Sequence, residues 1–327
     1  MTIHVMKFGG TSVANLTRMR KIVKIIQNKI SFKKKIILVV SAMSGVTNNL
    51  VREYKRINVN LDNPEYDVIL STGEQYSSSI ISSLLNEKNI TSRSLLGWQI
   101  PIITDKNFSK ARILKINSKF IKLLLKTYDV LVVAGFQGVT ENNRITTLGR
   151  GGSDTSAVAI AYALGLKNCE INTDVDGIFT SDPRVVKGAS KINSITYEEI
   201  LELASLGSKV LHPRSVELAM KYGIRIHVRN SFNRELGTMV IKEENKMERE
   251  VVTGITSSEN DSKITLKGIP DKPGIAAKIF GTLANANINV DMIVQNITDD
   301  GKYASLTFTV PDEDQLMAVK ELKNFKR

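Results

Sequence analysis

IHVMKFGGTSVANLTRMRKIVKII, residues 3–26, passes from a short apolar run through a glycine pair into an amphipathic helical pattern. Residues 3–8 read as a strand. Asn15 can cap the helix that follows, in which Leu16, Met19, Ile22, Val23 and Ile26 recur at three-to-four spacing. A second strand, residues 36–40, is apolar on both faces. The pattern repeats in the strand 130–134 ending at Gly135, the alanine-rich helix 154–164 stopped by Gly165, and the strand 169–173. Thr196 and Glu199 stand three apart as a capping box, opening a helix that carries Ile200, Leu201 and Leu203 and ends at Gly207. Pro213 opens another helix and Gly223 closes it, before the strand 224–228. Short strands alternating with helices predict an α/β fold whose mainly parallel sheet is covered on both faces.

Near residues 242–250 the pattern gives way to a charged, weakly apolar stretch ending in EENKMERE, read as a solvated helix or linker, and a domain boundary is expected there. Beyond it come strand 263–268, helix 274–286, strands 289–297 and 303–310, and helix 313–324. That order, βαββα, is a ferredoxin-like unit without its last strand. A length of 327 residues fits two domains.

The net charge is +12, from 45 Lys and Arg against 33 Asp and Glu. The lysines are scattered or in short runs such as Lys33-Lys34-Lys35, without interleaved aromatics to stack on bases, so no nucleic-acid partner is expected. A positive field also suits a polyanionic nucleotide substrate. Cys169 is the only cysteine, which excludes an intrachain disulfide and a thiolate cluster and reads as a small buried hydrophobe. His4, His212 and His227 lack metal-ligand spacing, and no metal site is expected. No apolar signal core precedes Lys7 and no apolar run approaches the ~18 residues of a membrane span, so a cytoplasmic protein away from membranes is the expectation.

Two glycine turns fall where a strand gives way to a helix: Gly9-Gly10-Thr11-Ser12, and Gly149-Arg150-Gly151-Gly152-Ser153-Asp154. Such turns bring backbone amides to phosphate oxygens, and the helix start adds positive potential. Each is bracketed by ionisable groups, Lys7 in one case, Arg150 and Asp154 in the other. There is no GxxxxGK[ST], no GxGxxG opening a βαβ unit, and neither HRD nor DFG. P-loop, dinucleotide-binding and protein-kinase folds are thereby excluded.

The residues KFGGTSV (7–13), VSAMSGVTN (40–48), STGE (71–74), LGRGGSDTS (148–156) and NTDVDGIFTSDPR (172–184) resemble aspartokinases, in that family's order and across residues 1 to about 240. The C-terminal DKPG (271–274) and VQN (294–296) resemble the ACT domain, which binds amino-acid effectors. The resemblance implies a three-layer α/β/α amino-acid-kinase fold and phosphorylation of L-aspartate by ATP with Mg²⁺, giving 4-phospho-L-aspartate at the head of lysine, threonine and methionine biosynthesis. The chemistry agrees: a carboxylate with pKa about 3.9 is already ionised, so it needs relief from anion repulsion and in-line positioning rather than a base.

By the resemblance, Lys7 stabilises the transferring phosphoryl group and Asp154 orients Lys7, although Asp154 alone reads equally as a helix N-cap. Arg150 with Gly151 grips a substrate carboxylate, Glu74 faces the ammonium, and Ser41 and Thr47 donate hydrogen bonds. Glu74 alone would read as a helix-start carboxylate held by the dipole. Lys7, Phe8, Gly9, Gly10, Thr173, Asp174, Phe179, Arg184 and Lys209 match the ATP side; Phe179 commonly stands as tyrosine in the family, and Asp182-Pro183-Arg184 also reads as a plain turn.

Lys272, Pro273, Gly274, Ile275, Ala276, Asp291, Gln295 and Asn296 resemble an effector site for lysine, threonine or both, and pairing into a homodimer through ACT domains is implied. The expected division is 1–243 for catalysis, 244–262 for a linker with the first strand of an incomplete second ACT unit at 251–255, and 263–327 for a shortened ACT domain, since the family usually carries two such units. The competing readings are a non-catalytic amino-acid-sensing subunit, against which Lys7, Glu74, Arg150 and Asp154 argue, and a sibling kinase acting on another acceptor, against which GRGGSDT and STGE argue.

Overall fold

The structure, a computed structural model, describes residues 2–30, 34–57, 63–205, 207–208, 210–233, 235–242, 252–256, 261–286, 288–297 and 303–325. The chain forms two compact units, Met1–Thr256 and Ser257–Arg327.

The first unit is built on a sheet of eight strands among the described residues, in the order Ser194–Thr196, Thr238–Ile241, Arg225–Asn230, Asn168–Thr173, Thr2–Phe8, Lys34–Val40, Val130–Ala134, Ser92–Leu95. Every pairing is parallel except Arg225–Asn230 with Thr238–Ile241. Alternation along the strands sorts their side chains into two cores. Met6, Phe8, Ile36, Leu38, Val40, Val130 and Val132 meet the helix Leu16–Lys29 through Met19, Ile22, Val23 and Ile26, and the helix Pro64–Glu87 through Ile81 and Leu85. Val5, Ile37, Val39, Leu131, Val133 and Ile171 meet the helices Ser118–Thr127, Gly152–Ala163 and Pro213–Tyr222 on the other face. The result is the expected three-layer sandwich. Each fully buried Val, Leu or Ile in it contributes about 1.5–3 kcal/mol.

Local chemistry sets the element ends. Asn15 accepts from the Arg18 N–H at 2.9 Å. Thr196 and Glu199 form the reciprocal capping box, Glu199 N–H to the Thr196 hydroxyl at 3.2 Å and Thr196 N–H to the Glu199 carboxylate at 2.8 Å. Pro213 stands first in its helix and Gly223 ends it with φ +67°. Cys169 is buried, and burial pushes its thiol pKa up. Among the described residues no helix is long and apolar enough to cross a membrane.

Three features differ from expectation. The helix expected from 154 begins at Gly152, with Gly151 as its N-cap, so Asp154 lies inside the first turn rather than capping it. A second, four-stranded sheet of Ile113–Ile116, Ile102–Thr104, Gln137–Val139 and Ile145–Thr147 was not foreseen, its strands being only three or four residues long. Residues 252–256, part of the expected strand 251–255, form no strand: the Ile255 N–H bonds the Thr180 carbonyl at 2.7 Å and the Thr253 hydroxyl bonds Glu199 at 2.6 Å, tying the segment to the first unit. Of the rest of the expected linker, 244–251 and 257–260 lie outside the described residues, and 261–262 belong to the strand Asp261–Pro270.

The second unit has the βαββα order: Asp261–Pro270, Ile275–Asn285, Asp291–Ile297, Tyr303–Pro311 and Gln315–Glu321. Its antiparallel sheet places Tyr303–Pro311 in the middle. Leu266, Ile279, Leu283, Leu306, Phe308 and Val310 form its core.

Candidate active site

The carboxyl end of the central strands is where open parallel sheets bind ligands, at the point where the strand order reverses. Thr2–Phe8 is that point here, with Lys34–Val40 on one side and Asn168–Thr173 on the other. Its last residues are Lys7 and Phe8. The Gly9 N–H bonds the Asn172 carbonyl at 3.2 Å and the Asn172 amide bonds the Lys7 carbonyl at 3.3 Å, which stitches the two strand ends together. On the other side the Ser41 N–H bonds the Phe8 carbonyl at 3.2 Å, and the Ser44 N–H bonds the Gly10 carbonyl at 3.1 Å. A Cβ on Gly10 would lie 2.9 Å from the Ala42 carbonyl oxygen, so the turn requires glycine for this approach.

Lys7 is 9% exposed and its Nζ lies 2.5 Å from Asp154 Oδ1. The helix Gly152–Ala163 brings Asp154 there, its first turn passing so close to the end of Val130–Ala134 that a Cβ on Gly135 would be 2.8 Å from Ser153. Gly151, with φ +69°, packs directly against the His212 ring, leaving no space for a side chain. Burial lowers the His212 pKa; Asp154 opposes that, and Arg214 and Arg150 add to it. Imidazole is therefore the neutral form at neutral pH. Its Nδ1 is buried without a hydrogen-bond partner.

Glu74 sits in the middle of the helix Pro64–Glu87, not at a helix start, and a Cβ on Gly73 beside it would be 2.7 Å from the Ala42 Cβ. That close approach lets Glu74 Oε1 accept the Ala42 N–H at 2.9 Å. Its Oε2 is buried with no partner. Burial pushes the carboxyl pKa up to about 7, the Ala42 hydrogen bond working the other way. A buried carboxylate oxygen left without a donor is a place for a cationic group. Ser41 and Thr47, at the turn and the following helix start, are half-buried, and Arg150 is exposed.

The remaining residues stand on the Asn168–Thr173 side. The Thr173 hydroxyl bonds Asp174 at 3.1 Å, and Phe179 pairs with Lys191 in a two-stranded ladder. Arg184 is exposed and donates to Asp182 through Nε at 3.0 Å and Nη2 at 2.8 Å, which holds the Asp182 carboxyl below its ordinary range. Lys209 lies outside the described residues. The structure thus gathers Lys7, Asp154, Gly9 and Gly10 about one strand end and sets Arg184 against Asp182 in an exposed turn.

In the second unit Lys272, Pro273, Gly274, Ile275, Ala276 and Gln295 line a cavity of about 400 Å³, to which Asp291 and Asn296 do not contribute. Gln295 donates to Asp271, which also lines the cavity, at 3.2 Å.

Sequence reasoning missed Asp67, His212 and Arg214. Asp67 is fully buried and accepts the Thr147 N–H and hydroxyl at 2.6 and 2.8 Å. Its spacing of seven from Glu74, two turns of one helix, is the signal that was there to find.

A model of the amino acid kinase family matches residues 2–230, and a model of the ACT domain matches residues 264–327. The aspartate kinase of Pseudomonas putida is 45% identical over 328 residues, covering 100% of this chain and 80% of that protein. Among solved structures, aspartate kinase from Synechocystis is 38% identical with a TM-score of 0.66, covering 99% of this chain but 55% of that one, so the chain spans little more than half of that protein. Aspartokinase III of E. coli in complex with aspartate and ADP is 27% identical with a TM-score of 0.79, covering 99% of this chain and 83% of that one. The same enzyme in complex with lysine and aspartate is 26% identical with a TM-score of 0.76, covering 100% and 84%.

Proposed function

The chain belongs to the amino acid kinase family, among the aspartate kinases, and from that premise we propose that it transfers the γ-phosphoryl group of Mg-ATP to the side-chain carboxylate of L-aspartate at the site around Lys7. The observation that carries this reading is the buried Lys7–Asp154 pair at 2.5 Å beside the Gly9-Gly10 turn. Lys7 offers fixed positive charge where two anions must meet, and Asp154 holds its ammonium in place. The Gly9 N–H is taken by the Asn172 carbonyl, and those of Gly152 and Asp154 by Gly149 and Gly151, so in this reading the Gly10 and Ser153 amides serve the transferring group. No base is required, since the attacking carboxylate is ionised. Among the described residues no group of three or more His, Cys, Asp or Glu stands close enough to hold a metal ion, and magnesium enters with the nucleotide.

Aspartate carries two carboxylates and an ammonium. Arg150 takes the α-carboxylate as a fork, the free Glu74 oxygen takes the ammonium, and Ser41, Thr47 and the Gly151 backbone complete the cradle. Binding the ammonium restores Glu74 to its ionised form. Thr173, Asp174, Phe179, Arg184 and Lys209 hold the nucleotide. The reaction then opens lysine, threonine and methionine synthesis, and feedback enters through the second unit, whose cavity at Lys272–Ala276 and Gln295 is sized for an amino acid. Lysine is the leading effector, because the similar E. coli enzyme is seen with it, with threonine as the other candidate. The strand Asp291–Ile297 presents Met292, Ile293 and Val294 exposed at the sheet edge, a surface suited to pairing two copies into a dimer.

ADP release in a coupled assay tests the reading. With Mg-ATP, turnover is expected with L-aspartate and not L-glutamate, lost in Lys7→Ala and reduced by added lysine or threonine. Equal turnover with glutamate, or none with aspartate from folded protein, would reject it.

A further inference from the structure

We propose that Asp67 is a positioning residue for aspartate, its carboxylate fixing the turn that carries Arg150 and Gly151 without itself touching substrate. The proposal rests on the reading of Arg150 as the grip on aspartate's carboxylate.

Asp67 is 0% exposed and lies on the helix Pro64–Glu87 on the same face as Glu74. It accepts from Thr147 through both the N–H at 2.6 Å and the hydroxyl at 2.8 Å. It accepts also from the Ser109 N–H, at 2.9 and 3.0 Å to its two oxygens. Those donors come from two separate segments, and both converge on Gly149: Gly149 has φ +77°, and a Cβ there would lie 3.1 Å from the Ser109 carbonyl oxygen. The Ala111 N–H bonds the Thr147 carbonyl at 2.9 Å, tying the same two segments a second time.

Past this anchor the chain has three residues to reach Arg150. The Arg150 side chain is exposed, so its own packing does little to aim it, and its direction follows from the backbone beneath it. The far side of the turn is held as well: the Arg214 guanidinium donates to the Leu148 carbonyl and, at 2.6 Å, to that of Ala111, while His212 fills the space over Gly151. An amide or hydroxyl at position 67 would bridge two segments at a lower desolvation cost. A carboxylate, acceptor only, receives three donors at once and makes each a charge-assisted bond. One helix therefore serves aspartate at two places, at the ammonium through Glu74 and at the carboxylate through the loop that Asp67 fixes.

Steady-state kinetics of the full chain with Asp67→Asn, Thr147→Val, Thr147→Ser and Arg150→Ala, each checked by a cooperative melt, test this. Asp67→Asn is expected to raise KM for aspartate roughly tenfold or more while KM for ATP stays within about twofold. Thr147→Val, which loses only the hydroxyl donor, is expected to shift the same constant by a smaller factor, and Thr147→Ser to restore it. Arg150→Ala should raise the aspartate KM most. Folded Asp67→Asn with both constants unchanged, or with both raised together, would overturn the proposal; should that variant not fold, a Thr147→Val enzyme with an unaltered aspartate KM would do so. An unchanged aspartate KM in Arg150→Ala would reject the reading of Arg150, and the proposal with it.

Discussion

On the Lys34–Val40 side of the central strand the candidate site is closed in: Glu74 is 3% exposed, and Lys7 and Asp154 are 9% and 7% exposed. On the Asn168–Thr173 side the Arg184 side chain is 85% exposed and that of Asp182 41%. The same types of charge occur on both sides, yet they do different amounts of work. A buried charge has lost its water and must be matched, so each partner there is tightly specified. An exposed pair is screened and adds little to stability. The side that holds Glu74, Lys7 and Asp154 is therefore fixed by its own packing, and the side that holds Arg184 is left to adapt.

The largest expected effect tests the buried side. Lys7→Ala should lower kcat by about a hundredfold to a thousandfold or more, the scale of losing one preorganised donor. It should also destabilise the protein by about 3 kcal/mol, because Asp154 is left buried without its partner. Adding Asp154→Asn should recover stability without activity; recovery of both would mean that Lys7 is only a structural counter-ion.

Glu74→Gln should weaken aspartate binding while strengthening the fold. The Glu74 carboxyl is raised from 4.5 to about 7 by burial, so between those values the native state holds a proton that the unfolded chain has lost. Its contribution is complete below 4.5 and is lost as pH rises through about 7. The variant should exceed the parent in stability by roughly 1–3 kcal/mol at pH about 8, with the gap closing toward pH about 4.5, by urea melts at the two pH values. A gap that does not change with pH would contradict the raised value.

The smallest effect belongs to the exposed side. Arg184→Ala should leave stability essentially unchanged and raise KM for ATP by a few fold, leaving that for aspartate unchanged. A large loss of stability there would erase the contrast between the two sides.

Much of this architecture was legible in the sequence because it depends on local patterns. Residues 130–134 are apolar without a break, and Val130–Ala134 is buried on both faces. Asn15, the Thr196–Glu199 box, Pro213 and Gly223 mark helix ends through bonds within a few residues of themselves. The motifs at Lys7, Glu74 and Arg150 were legible as a resemblance, whereas their geometry was not. Glu74 alone read as a helix-start carboxylate, whereas it lies in the middle of a 24-residue helix that Gly73 lets approach Ala42. Val-Val-Thr-Gly-Ile at 251–255 has the composition of a strand, but the partners of Thr253 and Ile255 are Glu199 and Thr180, which no local pattern announces. Asp67 and Arg214 act through loops distant in sequence, and a lone carboxylate or guanidinium carries no mark of that in one sequence.

The most direct test of the aspartate side is the pH dependence of kcat/KM for aspartate in the parent chain and in Glu74→Gln. The parent should lose about tenfold per pH unit below an inflection near 7, where Glu74 takes up its proton, and the variant should be lower and flat across that range. The same inflection in both proteins would show that another group controls aspartate capture and would contradict the placement of the ammonium at Glu74.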